Sequence, residues 1–178
     1  LAVYEDEQLC TEKNITYSRE QLTGFAKMTD QYPMRLADVK AFLSECGLTV
    51  ADFSMVVARA GVTPPLDAGA YLIDQAMVDC LKNRPLLDHP SNMCPVAAYE
   101  LCQGTNVPCI IYDSLFDQME PVAKLTGMPE IRRTHMGHVE NMRAVAFKTA
   151  EALGKPLESC NFILTHLGGG ITQSVMRQ

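Results

Sequence analysis

Apolar residues fall along this chain in two periods. The runs Phe53-Ser-Met-Val-Val-Ala-Arg59, Val107-Pro-Cys-Ile-Ile-Tyr112 and Asn161-Phe-Ile-Leu-Thr-His166 are short, mostly apolar and bounded by polar or turn-forming residues, the pattern of strands buried in a sheet. Elsewhere the spacing opens to three and four. Val139, Met142, Val145, Ala146, Ala150 and Leu153 share one face of a helix predicted over 137–154, with Glu140, Arg143, Lys148 and Glu151 toward the other.

Turn and cap residues divide the rest. Residues 1–7 read as the end of a strand and a charged turn, and 9–17 as the second strand of a hairpin, so the chain is expected to begin inside a sheet with sequence missing upstream. Ser18 and Gln21 form a capping box that opens a helix through about residue 30. Pro33 interrupts it, and an amphipathic segment over 35–46 ends at Gly47. Pro64 and Pro65, just after Gly61, can continue neither a helix nor a central strand. Helices are predicted over 74–83, 95–104 and 118–126. Helices alternating with strands indicate an α/β fold with helices on a mixed sheet.

Composition narrows the class. The chain has 178 residues, 47% hydrophobic and 20% charged, enough for one ordinary domain with a sizeable core. A net charge of −6 argues against binding to nucleic acid or an anionic membrane, which needs an excess of Lys and Arg. The seven cysteines (10, 46, 80, 94, 102, 109 and 160) are odd in number, scattered and without a CxxC pair. They read as reduced thiols in a cytosol rather than a disulfide framework or zinc site. No run approaches the length of a membrane-spanning helix, and the expected location is cytoplasmic.

Three apolar strands end in residues able to bind or polarise an anion: Arg59, Asp113 and His166. Ligands collect at strand ends in open α/β sheets, so the recurrence points to one shared cleft. Arg59 offers a planar, permanently charged fork for a carboxylate or a transferring phosphoryl group, or for a structural ion pair. Asp113 can accept a proton, orient a water or support Mg²⁺ through that water, or cap a turn. After His166, the glycines Gly168, Gly169 and Gly170 permit a tight turn with exposed N–H groups, suited to phosphate. His138 stands at the expected helix start, where an anion is favoured and where a capping histidine is equally at home. His89, within Asp88-His-Pro-Ser-Asn92, suits a cleft wall or a turn. The chain contains no GxxxxGK[ST], GxSxG or HExxH, and His135 with His138 lacks the carboxylate that would complete a metal set.

Together Arg59-Ala-Gly61-Val-Thr-Pro-Pro65, Gly69-Ala-Tyr71, Asn83-Arg-Pro85, His89-Pro-Ser-Asn92, Asp113, Met128-Pro-Glu130-Ile-Arg132-Arg133, His138 and His166-Leu-Gly-Gly-Gly-Ile-Thr172 resemble the butyrate kinases in order and spacing over nearly the whole chain. These belong with the acetate kinases to the superfamily of sugar kinases, Hsp70 and actin. The resemblance implies an actin-like (ribonuclease H-like) fold with ATP between two similar domains. Residues 1–158 would be the first domain, lacking its opening phosphate-contacting strand, and 159–178 the first hairpin of a second domain otherwise absent.

It also implies reversible transfer of the ATP γ-phosphoryl group to a short-chain carboxylate, with Mg²⁺. Arg59 would hold the carboxylate or the transferring group, Asp113 would orient substrate or metal-bound water, and His138 would donate to the phosphoryl group. His166 would position the turn through which Gly168, Gly169 and Gly170 meet the nucleotide phosphates. His89 and Asn92 would lie near the acyl site, and Val62 and Pro65 would accommodate a short alkyl tail. The stretch from Arg133 to His138 is one residue longer than the family pattern, which leaves His135 as a rival for the phosphoryl role. A truncated chain is expected to be inactive alone and to associate through exposed strand edges, and the whole enzyme to be a homo-oligomer. Related acetate, propionate or isobutyrate kinases, and a non-catalytic nucleotide-binding module, are the alternatives.

Overall fold

The computed structural model describes residues 1–114, 125–131 and 136–177. The chain divides into two compact units, Leu1–Val62 with Tyr71–Ile111, and the described part of Thr63–Ala70 with Tyr112–Gln178.

The first unit opens with the expected hairpin, β1 (Ala2–Glu5) and β2 (Gln8–Glu12), which are antiparallel. Its second strand stops at Glu12 instead of running to Tyr17. Leu1 and Lys13 exchange both backbone hydrogen bonds, at 2.7 and 2.8 Å, just past its end. The Ser18–Gln21 capping box forms as expected, with Ser18 N–H to Gln21 Oε1 at 2.8 Å. The helix it starts, α1 (Arg19–Leu22), is a single turn. Thr23, whose hydroxyl binds the Glu20 carbonyl at 2.9 Å, and then Gly24 end it early.

Helix α2 (Tyr32–Glu45) contains Pro33 in its first turn instead of being broken there, because a first-turn residue needs no N–H donor. It ends as expected at Gly47, whose φ is +68°. Leu48 N–H to Leu43 O (2.9 Å) and Gly47 N–H to Ser44 O (3.0 Å) complete a Schellman cap.

Strand β3 (Val56–Arg59) begins three residues later than predicted. Strand β4 (Ala70–Leu72), which the sequence pattern does not reveal, joins it in one sheet with β5 (Cys109–Tyr112). The strand order is β3-β5-β4. Asp74 caps α3 (Gln75–Asn83) through Met77 N–H at 2.8 Å, and α4 (Met93–Cys102) follows a short 3-10 turn at Pro90–Asn92. Helix α4 packs on β3, α2 and α3, and Leu36, Leu81 and Val96 are buried there.

The second unit is built on α5 (Val139–Ala152) and the hairpin of β6 (Phe162–Leu167) and β7 (Ile171–Met176). The helix closes at Gly154 (φ +62°) with a second Schellman cap, Lys155 N–H to Ala150 O at 3.0 Å. Met142 and Ala146 pack on Leu164, flanked by Leu157, Phe162 and Met176. The predicted apolar face is narrower than its pattern, since Val145 and Leu153 are exposed. The helix expected over 118–126 lies outside the described residues except for Leu125 and Thr126, which are irregular. Among the described residues no helix is long and apolar enough to cross a membrane, and all seven cysteines are free thiols.

Candidate functional site

In an antiparallel hairpin, residues on one face alternate along each strand and meet across it. Leu164, buried against α5, fixes which face of β6 looks toward that helix. His166 is two residues further on and shares that face, opposite Thr172. His138 is the N-cap residue of α5, but its side chain does not cap the helix. Its Nδ1 meets Thr172 Oγ1 at 2.9 Å, and its ring stacks on His166 at 3.7 Å with 4° between the planes. His166 Nδ1 lies 3.2 Å from Asn141 Oδ1, one turn along α5.

The three glycines close the hairpin beneath these rings, though not by the route their sequence suggests. None of Gly168, Gly169 and Gly170 has a positive φ. A Cβ on Gly168 would come within 3.3 Å of His166 Nε2, and one on Gly170 within 3.2 Å of His138 Cε1, while Gly169 has open space. A side chain at either position would therefore press on an imidazole, which would have to give by a few tenths of an ångström. The Gly168 N–H is committed to the Gly170 carbonyl at 3.2 Å, so the exposed donors of the turn reduce to Gly169 and Gly170.

Asp113 follows β5 with φ +53°, an unusual conformation for a residue with a side chain. Its surroundings hold it there. The Asp113 N–H binds Gly69 O at 2.9 Å, Oδ1 accepts Gly69 N–H at 3.0 Å, and Oδ2 accepts Arg143 Nη1 at 2.7 Å. The carboxylate is almost fully buried and Arg143 about one-third exposed. Asp113 is thus both a turn residue and the acceptor of a charge-assisted bond, and each oxygen keeps a further lone pair. Ser114 beside it meets Thr63 Oγ1 at 2.7 Å. Pro65 is exposed on the short segment that this unit draws from before β4.

Arg59, Val62, His89 and Asn92 belong to the first unit. Arg59 is exposed at the end of β3 and makes no ion pair among the described residues. It borders a largely apolar cavity of about 540 Å³ whose other walls include Tyr32, Arg35, Val57, Ser91 and Met93. Asn92 is fully buried and spends its amide on backbone, taking Val62 N–H on Oδ1 (2.7 Å) and donating Nδ2 to Leu87 O (2.8 Å). Val62 is itself fully buried, and Gly61 before it has no room for a Cβ, which would lie 2.8 Å from Leu81. These residues hold the loop after β3 against α3 and α4. His89 caps the Pro90–Asn92 turn through Nδ1, which accepts Ser91 N–H at 3.2 Å and meets its hydroxyl at 2.7 Å.

No family model matches the chain. Among curated proteins it is 40% identical to "Probable butyrate kinase" of Thermotoga petrophila and 39% identical to "Probable butyrate kinase 1" of Thermotoga maritima, each over 97% of this chain. Over these residues the chain is similar to butyrate kinases. It spans about half the length of these butyrate kinases, 48% of each. The likeness to butyrate kinases therefore extends over nearly the whole chain.

Sequence reasoning passed over Thr172, Asn141 and Arg143 as functional residues. Asn141 is one helical turn from His138, a spacing that marks it as a neighbour. Thr172 pairs with His166 once the glycine turn is read as a three-residue loop. Arg143 lies 30 residues from Asp113, and no local pattern links them. His135, Arg132 and Arg133 lie outside the described residues.

Proposed function

We propose that this chain is the portion of a carboxylate kinase that transfers the γ-phosphoryl group of ATP reversibly to butyrate, giving butyryl phosphate and ADP. The observation that carries the reading is the 40% identity over 97% of the chain. Acetate, propionate and isobutyrate are alternative acceptors, because discrimination by a methylene or two is worth only about 1–3 kcal/mol. The fold proposed is actin-like, with residues 1–158 in one domain and 159–178 opening a second. The enzyme would work in the cytoplasm as a homo-oligomer, without nucleic-acid or membrane partners.

Phosphoryl transfer asks a protein chiefly for positioning and for fixed charge. In this reading Arg59, free of acidic partners among the described residues, grips the carboxylate or the group in transfer. His138 donates a hydrogen bond to the moving phosphoryl group. Gly169 and Gly170 offer N–H groups to the nucleotide phosphates, while Gly168 and His166 shape the turn. His89 and Pro65 border the acyl chain, whereas Val62, fully buried with its backbone held by Asn92, supports the loop after β3 from within instead of meeting the alkyl tail.

Among the described residues no three potential metal ligands cluster. The donor set fits a Mg²⁺ carried by the nucleotide phosphates, with Asp113 reaching metal-bound water through its remaining lone pairs. When bound, that ion neutralises charge on the phosphates.

Exchanging this chain for the matching region of the Thermotoga maritima relative tests the reading. Acyl phosphate trapped as hydroxamate should form from ATP with at least one acid among acetate, propionate, butyrate and isobutyrate. A folded chimera that binds nucleotide but makes no hydroxamate with any of them would favour a non-catalytic nucleotide-binding module.

A further inference from the structure

Two perpendicular contacts bear on the His138 ring. Thr172 Oγ1 lies 2.9 Å from Nδ1 in the ring plane, and the His166 ring covers one face at 3.7 Å. The opposite edge has its own boundary, since Cε1 would lie 3.2 Å and Nε2 3.8 Å from a Cβ on Gly170. A histidine held only by a helix N-cap would turn about χ2 and would populate both neutral tautomers. The Thr172 hydroxyl can donate to Nδ1 or accept from it, and donation is the arrangement that places the ring proton on Nε2.

We propose that Thr172 is a positioning residue that orients His138 and fixes its neutral tautomer with the proton on Nε2, the glycine at 170 leaving space for the ring. Thr172 lies in β7 and faces the helix because it is the cross-strand partner of His166, so hairpin register and ring orientation are one structural decision. The assignment rests on the kinase reading only for the consequence, which is that Nε2–H serves as the donor. Where the proton resides concerns this chain alone.

The test uses the 178-residue chain labelled with ¹⁵N-histidine, with the two ring nitrogens of His138 read by long-range ¹H–¹⁵N correlation at a pH where the ring is neutral. The wild type should show the Nε2–H tautomer. Thr172→Val should shift His138 toward a mixture, and Thr172→Ser should restore it. Gly170→Ala should move the His138 signals, and Gly169→Ala should leave them in place. If Thr172→Val fails to fold, the serine and glycine variants still decide. A wild-type Nδ1–H tautomer, an unmoved His138 in Thr172→Val, or equal effects of alanine at 169 and 170 would overturn the proposal.

In the chimera with the Thermotoga maritima relative, Thr172→Val should lower kcat at least about tenfold with little change in KM for butyrate, and Thr172→Ser should recover it. A kcat untouched by a proven tautomer change would separate the ring's position from any kinase role. A tautomer change in a protein that makes no acyl phosphate supports the positioning and counts against the kinase reading.

Discussion

Single residues carry more structural duty here than their motifs suggest. Asn92 is fully buried with both ends of its amide on backbone groups. Asn92→Ala should cost about 1–3 kcal/mol, because the buried Val62 N–H loses its acceptor. Urea unfolding checks this, and an unchanged midpoint would contradict the role. The Cys102 thiol is pushed up from 9.0 to about 11 by burial first and by neighbouring Cys109 second. The folded state thus favours the neutral thiol, so this contribution to stability is full below pH 9 and is lost as pH rises toward 11. Stability should fall over that window less steeply in Cys102→Ala, and thiol reagents should modify exposed Cys10 well before Cys102. Asn92 and Asp113 were legible as polar residues in a motif, but their partners Val62 and Arg143 lie 30 positions away. Pairing at that distance depends on tertiary structure, which no local spacing encodes.

Elements were legible where chemistry is local. The Ser18 cap, the glycine stops after α2 and α5, and the three apolar strands all follow from residues within a turn of where they act. Failures arose where a competing local bond or a short element decided the outcome: Thr23 and Gly24 end α1 after one turn, and β4 is too short to show a pattern of its own. The hairpin β6–β7 shows both sides of this. One face packs on α5, while Ile163 (74% exposed) opposite Val175 (72%), and Leu167 (74%) opposite Ile171 (75%), lie together on the other. Such a face on the isolated chain should promote self-association. Ile163→Thr with Val175→Thr should shift the chain toward monomer in sedimentation velocity across a concentration series. An identical distribution for both proteins would show that this face is not responsible.

At the scale of the molecule, the chain is a mixed α/β protein related over nearly all its length to butyrate kinases and spanning about half of theirs. Arg59 in the first unit and His138 in the second stand out for opposite reasons: the first makes no ion pair among the described residues, and the second is held on two sides. If both act on the transferring group, each must matter to rate far more than to folding. The decisive measurement is ATP-dependent butyryl hydroxamate formation by the chimera in which this chain replaces the matching region of the Thermotoga maritima relative, compared with its Arg59→Ala and His138→Ala forms. Robust turnover is expected for the parent, with losses of about 100-fold or more in each variant and unfolding midpoints close to the parent's. A folded chimera whose rate is indifferent to both substitutions would contradict this expectation.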